Sequence, residues 1–361
     1  MATPGAATVR RRRAAAQLLH RPAGAGAADV VRRLLAVQAQ DLRAARLALR
    51  ARGAGLTADA VDAALDQERS VVVAWLGRGT LHLVHRDDHA WLLGLTAPPR
   101  FAANRRRLGE LGVPPDDAER AVATIERALA EAGPLTRPQL AERIAAHGIR
   151  TAGQATPHLL MLAALRGVAV LGPLCDGRLA YALTRDWLGG EPPAPPAGAP
   201  RERALAELAR RYLRGHGPAT AEDLAAWAGL PLGDARAGLR AAGGELDDLG
   251  GGLADLAARE PPPPGPVPAR LLPAFDPYLL GWRDRAFAVP PEHATRVHPG
   301  GGILRATATV DGVAVGTWSA RRRGGRLAVA VEPFAPLAPA DAAALEEEAA
   351  DVAGFEGLAP A

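Results

Sequence analysis

Two glutamines near the N-terminus, Gln38 and Gln40, are separated by one small apolar residue and lie between two apolar runs with helical periodicity, 31–35 and 42–49. Residues two apart point to different sides of a helix, so the two amides converge only where the chain leaves the helical conformation. Converging amides supply hydrogen-bond donors and acceptors without charge, which suits a bound water molecule or the edge of a base. The spacing therefore predicts a break between two helices that presents two neutral amides at one place.

Asp41 follows the glutamines directly, and two roles are open to it. An aspartate just before an apolar helical run is a preferred N-cap, because its carboxylate accepts a hydrogen bond from the backbone of the first turn. The same carboxylate beside two amides could instead act as a general base. Its position before residues 42–49 favours the N-cap.

All 43 basic residues of the chain are arginine, against 39 acidic residues, and the sequence pI is about 10.1. Arginine stays charged at any relevant pH and binds phosphate through two parallel hydrogen bonds. Clusters at 10–13, 105–107 and 321–323 predict local positive potential, although any single cluster could also be a solvated surface. Together they favour a nucleic-acid partner. Because the chain has no lysine, a lyase step through a lysine Schiff base is excluded.

Several classes of protein are disfavoured by composition. The single cysteine, Cys175, excludes an internal disulfide framework and a multi-cysteine metal site. No histidine–acid cluster has metal-ligand spacing and no glycine-rich loop precedes a helix, so we expect no cofactor. Aromatic residues at 4% argue against a protein that mainly stacks single-stranded bases. With no apolar run of membrane-spanning length and no signal-peptide segment in residues 1–13, we expect a cytoplasmic, nucleoid-associated monomer that does not contact membranes.

The order of elements predicts an α+β protein of three tandem winged helix-turn-helix units and a small C-terminal β-rich domain. The first unit, 1–115, has helices followed by a hairpin at 70–84 and a helical connector at 87–111. In the second unit, 116–190, three helices precede two short strands joined by a turn at Asp176 and Gly177.

The third unit, 201–258, is predicted from an internal repeat. Residues 217–220 (GPAT) correspond to residues 133–136 (GPLT), and a repeated unit is stronger evidence than either copy alone. Two proline-rich linkers, 191–200 and 260–268, bound this unit.

The C-terminal domain, 266–361, contains strands predicted at 303–310, 313–319 and 327–331 and ends in an acidic helix at 339–353. The last two strands are joined by Arg321-Arg322-Arg323-Gly324-Gly325-Arg326, a hairpin tip suited to reaching into a DNA groove.

The chain resembles the bacterial winged-helix DNA glycosylases of the AlkZ and YcaQ type, and the resemblance covers nearly its whole length. It rests on LLAVQAQDLRAARLALRAR (34–52), LGRGTLHLV (76–84), LLPAFDPYLLGWRDR (271–285), and HPGGGI with VDGVAVGTW (298–318). In the family, two polar residues flanking an aliphatic one form the catalytic motif. The AlkZ-like branch carries two glutamines there, so the resemblance implies that Gln38 and Gln40 are the catalytic pair. The middle residue, Ala39, is smaller than is typical of the family.

The resemblance implies a metal-independent monofunctional DNA glycosylase that acts on double-stranded DNA and needs no cofactor. The expected substrates are bulky cationic alkyl-purines, N7-alkylguanine and N3-alkyladenine, with interstrand crosslinks as a further candidate. The DNA-contacting residues are expected to be Arg43, Arg46, Arg78, Thr80, His82, Arg283, Arg285, Arg321, Arg322, Arg323 and Arg326.

Some of these residues also have structural interpretations. His82 could be a buried histidine with satisfied ring nitrogens, Arg78 and Thr80 could belong only to the hairpin turn, and Asp284 is expected to pair with its neighbouring arginines. The rival to an enzyme is a non-catalytic winged-helix DNA-binding protein, such as a regulator or a lesion sensor. The glutamine pair distinguishes the two, because a regulator has no use for two amides that converge away from its reading helix.

Overall fold

The computed structural model describes residues 4–190 and 198–361. The first stretch of the chain consists of helices that lead into a hairpin and two further helices. Its elements are α1 (Ala6–Ala16), α2 (Ala27–Leu34), β1 (Val37–Gln38), α3 (Leu42–Arg50), α4 (Ala58–Asp66), β2 (Val71–Leu76), β3 (Thr80–His85), α5 (Arg86–Thr96) and α6 (Pro98–Glu110).

The middle of the chain twice shows the order helix, helix, helix, hairpin that was predicted for it. Its elements are α7 (Pro115–Ala132), β4 (Leu135–Thr136), α8 (Arg137–Ala146), α9 (Ala155–Leu165), β5 (Ala169–Cys175), β6 (Arg178–Leu183), α10 (Thr184–Trp187), α11 (Gly198–His216), α12 (Ala221–Ala228), α13 (Leu232–Ala241), β7 (Leu246–Asp248) and β8 (Ala254–Leu256).

The C-terminal part is β-rich, as predicted, and ends in a helix. Its elements are β9 (Arg270–Leu272), α14 (Pro277–Leu280), α15 (Ala294–Val297), β10 (Thr307–Val310), β11 (Val313–Arg323), β12 (Arg326–Pro333), α16 (Pro339–Phe355) and β13 (Ala359–Pro360). The sequence did not predict β9 or β13, because strands of two or three residues carry no detectable alternation.

This mixture of helices and strands confirms the α+β class. The number of winged-helix units stays a prediction. Of the first proline-rich linker, residues 191–197 lie outside the described residues, and residues 198–200 form the start of α11. The helix predicted from residue 201 therefore begins three residues earlier, since proline is tolerated in a first helical turn.

The described chain divides into two compact units. The first contains residues 4–61, 205–227 and 231–361, and the second contains residues 62–190, 198–204 and 228–230. In the second unit, strands lie in the order β3-β2-β5-β6-β4, and each is antiparallel to its neighbour. Apolar faces of α7 and α9 contribute buried residues to the core of this unit, among them Ile125, Leu159 and Leu160.

In the first unit the C-terminal strands form one sheet in the order β9-β10-β11-β12-β13, antiparallel except for the pairing of β12 with β13. Helix α16 packs on this sheet and buries Leu345, Val352 and Phe355. Charged side chains are also buried in this unit.

Arg52 is the most enclosed of them. It has no exposed surface, and neither does its partner Asp276. Its two terminal nitrogens donate to the two carboxylate oxygens at 2.7 and 2.9 Å, and they also donate to Ala48 O and Gln17 Oε1. Asp276 accepts a further bond from the backbone N–H of Tyr278.

Arg50, at the end of α3, is 1% exposed and its side chain donates hydrogen bonds to two further elements, β9 and α16. It donates to the carbonyl of Leu271 at 2.8 Å, to Glu348 at 3.1 Å and to Asp351 at 2.6 Å. Arg270 also donates to Glu348, at 3.2 Å. The C-terminal end of α3 is therefore joined by charged hydrogen bonds to strand β9 and helix α16.

The arginine cluster at 10–13 was predicted to give local positive potential, but two of its arginines are paired with carboxylates. Arg13 is buried, donates to the carbonyl of Pro218 at 3.0 Å, and lies 3.6 Å from Asp223. Arg10 pairs with Asp311 at 3.2 Å. These two positive charges are neutralised inside the first unit, because helix α1 is packed in it.

We predict that Asp276→Ala destabilises the first unit by about 3–5 kcal/mol, because it leaves the Arg52 guanidinium buried without a counterion. Urea unfolding measures this loss. The double variant Arg52→Met, Asp276→Leu should be more stable than Asp276→Ala alone, since it removes both buried charges. Arg185→Ala breaks an exposed pair with Glu126 and serves as the control, with an expected cost below about 1 kcal/mol. A loss with Asp276→Ala no larger than with Arg185→Ala would contradict the structural role.

Candidate functional site

The two glutamines lie on an extended segment between α2 and α3. Helix α2 ends because Leu35 adopts a left-handed backbone, with φ of +67°. Val37 and Ala39 are then 0% and 1% exposed, whereas Gln38 is half-buried and Gln40 is exposed. In an extended chain, residues two apart share a face. The two apolar residues therefore point into the core and the two amides point outward.

The outward-facing amides contact each other. Nε2 of Gln38 donates a hydrogen bond to Oε1 of Gln40 at 3.0 Å. The predicted convergence of the two side chains is thus confirmed. The bond leaves Oε1 of Gln38 and the amide nitrogen of Gln40 with capacity for further partners, so the pair still offers both an acceptor and donors at neighbouring positions.

Asp41 is the N-cap of α3, as its position in the sequence favoured. Its Oδ1 accepts a hydrogen bond from the backbone N–H of Ala44 at 3.2 Å, and its own backbone is extended. The carboxylate is therefore engaged at the start of the helix. This contact fixes where α3 begins, just after Gln40 and its cap.

The other end of α3 is held by Arg50 and Arg52. The helix has nine residues, so about 13 Å separate its two ends. The amide pair therefore stands at one end of a short rigid helix whose other end is bonded to the C-terminal sheet and to α16. Sequence reasoning missed Arg50, Arg52, Asp276 and Glu348, because periodicity marks apolar faces and gives no signal for a buried charge pair. The only signs available were that Arg50 and Arg52 lie in the matched stretch 34–52 and that Asp276 lies in the matched stretch 271–285.

Arg43 and Arg46 lie on α3 close to the amides. Arg43 is about half exposed and its Nε lies 2.8 Å from Glu356. Arg46 is half-buried. Their predicted contacts with DNA are not tested by these positions and stay predictions.

The hairpin β2–β3 belongs to the second unit and carries three of the predicted DNA-contacting residues. Arg78 is exposed, and Thr80 and His82 are half-buried. Nδ1 of His82 lies 3.0 Å from the carbonyl of Thr80. The pKa of His82 is lowered to about 4, chiefly by desolvation and to a smaller extent by the charge of Arg78, while the hydrogen bond to Thr80 opposes the shift. The ring is therefore neutral at physiological pH.

Arg283 and Arg285 follow α14 in the first unit. Arg283 is exposed, and its backbone N–H donates to Asp223 at 2.9 Å. The side chain of Arg285 donates to the carbonyl of Leu279 at 2.6 Å. Asp284 accepts a hydrogen bond from the backbone N–H of Ala286.

The arginine-rich hairpin forms as predicted. Strands β11 and β12 pair up to Arg323 and Arg326, and Gly324 and Gly325 form the turn. All four arginines of this tip, Arg321, Arg322, Arg323 and Arg326, are exposed, and within the described residues none pairs with a carboxylate. Alternation along the strand places Arg321 and Arg323 on one face and Arg322 on the other.

The described residues contain neither a candidate metal site nor a candidate membrane-spanning helix. In residues 4–190 and 198–361, no group of three or more His, Cys, Asp or Glu side chains is placed to hold a metal ion. Over the same residues, no helix has both the length and the apolar character required to span a membrane.

Comparisons with known proteins agree along almost the entire chain. A family model described as "DNA glycosylase AlkZ-like" matches residues 31–355. The chain is 28% identical over 357 residues to an "Interstrand DNA cross-link repair glycosylase" of Streptomyces sahachiroi, an alignment that covers 92% of this chain and 91% of the relative. The solved structure of Streptomyces sahachiroi DNA glycosylase AlkZ superposes with a TM-score of 0.77 at 27% identity, covering 99% of this chain and 98% of that one.

We predict that Asp41→Ala lowers the free energy of unfolding by about 1 kcal/mol, because the N–H of Ala44 loses its partner. Asp41→Asn should stay within a few tenths of a kcal/mol of the wild type, since asparagine caps about equally well. Thermal unfolding of the three proteins measures the difference. If Asp41→Asn destabilises as much as Asp41→Ala, the carboxylate has a role other than capping.

Proposed function

Because the chain belongs to the family of AlkZ-like DNA glycosylases, we propose that it hydrolyses the N-glycosidic bond of bulky cationic alkyl-purines in double-stranded DNA, with Gln38 and Gln40 as the catalytic residues. The observation that carries this proposal is the 3.0 Å contact between two accessible, neutral amides. The family supports the reaction class, and the chemistry of the amides supports the substrate class.

The amides limit which bases can leave. Hydrolysis of an N-glycosidic bond passes through a sugar with oxocarbenium character, and many such enzymes use a carboxylate to activate water. A glutamine amide accepts no proton at neutral pH. The departing base must therefore be a good leaving group without help from an acid. Guanine alkylated at N7 and adenine alkylated at N3 carry a positive charge and depart as neutral molecules.

In this reaction the bond from C1′ to the base nitrogen breaks, and its electron pair neutralises the cationic base. The oxygen of a water molecule held by the amides forms the new bond to C1′. Its surplus proton passes to solvent, since neither amide retains it. Oε1 of Gln38 faces the developing positive charge of the sugar, and a preorganised dipole of this kind contributes about 2.7–4 kcal/mol in favourable sites.

Affinity for DNA is assigned to the exposed arginines, above all to Arg321, Arg322, Arg323 and Arg326. Their guanidinium groups lack carboxylate partners within the described residues, so their charge is available to phosphates. On this proposal the hairpin tip enters a groove beside the lesion, and the second strand of an interstrand crosslink lies within its reach. Unhooking of crosslinks then depends on this hairpin more than release of a methylated base does.

We predict that Gln38→Ala with Gln40→Ala abolishes release of 7-methylguanine from duplex DNA, because the water molecule loses both of its partners. Strand cleavage by hot alkali after incubation detects the abasic product. Neutral lesions such as uracil should not be released by the wild type. Asp41→Asn should retain activity, as expected of a cap and not of a general base.

The control for the double variant is Gln67→Ala, an exposed glutamine in the second unit. It should cleave like the wild type. If the double variant also cleaves like the wild type, the catalytic assignment fails. If the wild type binds duplex but cleaves no alkylated DNA, the chain is a non-catalytic DNA-binding protein.

We predict that replacing Arg321, Arg322 and Arg323 by alanine slows crosslink unhooking more than release of 7-methylguanine. The replacement should also make binding less sensitive to salt. The slope of the logarithm of the binding constant against the logarithm of the salt concentration should become shallower by up to about 0.9 for each phosphate that the variant no longer neutralises. Replacement of the same three residues by lysine separates charge from geometry, because lysine keeps the charge but not the two parallel hydrogen bonds. Equal loss on both substrates would argue against a groove-probing hairpin.

A further inference from the structure

One aliphatic side chain of the described residues is both large and mainly exposed. Ile303 is 52% exposed, whereas the other large apolar side chains are buried or half-buried. It belongs to the stretch His298-Pro299-Gly300-Gly301-Gly302-Ile303 in the first unit, for which neither the catalytic amides nor the arginine hairpin provides a role. A lone exposed apolar residue is ordinary on protein surfaces, so its setting decides whether it has a function.

The backbone around Ile303 forms a tight, closed turn. The N–H of Ile303 donates to the carbonyl of Gly300 at 3.1 Å, and the two residues between them, Gly301 and Gly302, have φ of +61° and +76°. Positive φ at both central residues is the requirement of a type I′ turn, which glycine meets without strain. No atom lies within 4 Å of a side chain built at either glycine. These glycines therefore serve the shape of the turn and not close packing.

The base of the turn is anchored in the core. Val297 and Leu304, on either side, are buried, and the N–H of Arg305 donates to the carbonyl of Val297 at 3.0 Å. The turn is thus a projection with two fixed ends. Ile303 is held at its edge, where the fold leaves an aliphatic side chain in water.

The flanks of the turn carry positive charge. Arg296 and Arg305 are exposed, and their nitrogens donate to backbone carbonyls at 3.4 Å, with Arg296 also lying over the ring of Phe334. Neither charge is neutralised by a carboxylate within the described part of the chain. His298 accepts the N–H of Gly300 on Nδ1 at 3.3 Å. In the neutral ring the proton is then on Nε2, which is a hydrogen-bond donor.

We propose that Ile303 is an apolar wedge that enters between stacked base pairs beside the lesion, while Arg296 and Arg305 contact the phosphates on either side of the opened step. Proteins that kink duplexes insert aliphatic side chains between base steps in this way, with cationic groups beside them. The combination of one exposed aliphatic side chain at the edge of a closed turn and two guanidiniums without carboxylate partners in the described residues fits a base stack between two phosphate backbones. An acidic protein surface would not provide an apolar slot of that shape.

The inference rests on the proposed function, since it assigns Ile303 a part in presenting the damaged nucleotide. Opening one base step removes stacking from one face of the alkylated base. The base can then tilt out of the stack as the bond to C1′ lengthens. Ile303 is therefore a positioning residue and not a catalytic one, because it touches neither the water nor C1′.

The test uses duplexes with one 7-methylguanine on a 2′-fluoro sugar, which slows loss of the base. The fluorescent base 2-aminopurine, which brightens when unstacked, is placed in turn at each position near the lesion. With wild-type protein we expect a fluorescence rise confined to one or two adjacent steps. Ile303→Ala should remove that rise and weaken lesion binding by about tenfold. Ile303→Leu, which keeps the aliphatic volume, should restore both.

Two further variants separate the wedge from the charges around it. Gly302→Ala disfavours the positive φ of the turn and should reduce the rise although Ile303 is still present. Arg296→Ala with Arg305→Ala should reduce the salt dependence of binding and leave the position of the rise unchanged. Thermal unfolding checks that each variant is folded.

A wild type that binds the duplex without brightening 2-aminopurine at any position overturns the wedge, as does Ile303→Ala that behaves like the wild type. Both outcomes are distinct from failure of the proposed function. If the proposed function fails, 7-methylguanine on an ordinary deoxyribose stays attached to the DNA, whether or not the fluorescence changes.

Discussion

The bonded pair formed by Arg52 and Asp276, from which solvent is excluded, is the interaction on which the first unit depends. Taking two charges out of water is costly, and a close pairing with further hydrogen bonds on both sides offsets that cost. Here the carboxylate accepts two guanidinium bonds and one backbone bond, and the guanidinium has two further acceptors. The pair makes these bonds in one arrangement only, in which Nε of Arg52 is the one guanidinium nitrogen without a partner among the described residues. It therefore selects a single orientation of the chain after α3 against the start of α14.

The orientation set by this ion pair also affects the position of the two amides at the opposite end of α3. Neutral amides lack the long-range attraction of a charge, so their effect on a reacting water or sugar depends on position within a fraction of an ångström. Gln38 and Gln40 themselves lie on a short extended segment, of which only Val37 and Gln38 form a strand. Among its contacts are the buried side chains on its inner face, the cap at Asp41, and helix α3, whose other end is hydrogen-bonded to β9 and α16. The firm anchoring of α3 thus provides the accurate positioning that neutral amides need.

Arginine has two opposite uses in this chain. In the interior of the first unit, Arg13 is enclosed by aromatic rings, 4.7 Å from the centre of Trp282 and 4.5 Å from that of Phe287, and its charge is directed to Asp223. At the tip of β11 and β12 the same side chain type extends into solvent. Burial favours arginine over lysine in the first case because its delocalised charge is less strongly hydrated. The forked geometry that satisfies a buried carboxylate also suits a phosphate in the second.

The sequence by itself determined the α+β class, the order of helices and hairpins, the hairpin tip with Gly324 and Gly325, and the exit from helix between Leu35 and Asp41. These features depend on local rules: alternation, helical period, caps and turn residues act within a few positions of the chain. The resemblance to a family added the reaction class, which the comparisons support, and the roles of the glutamines, which remain proposals. Tertiary structure alone decided which arginines are interior. Arg50 and Arg321 are chemically identical, and their environments differ only because residues 271 and 348 fold back onto α3. Contacts between residues some 300 positions apart leave no periodic trace in the chain, so only the folded structure reveals which charges are structural and which are free to meet DNA.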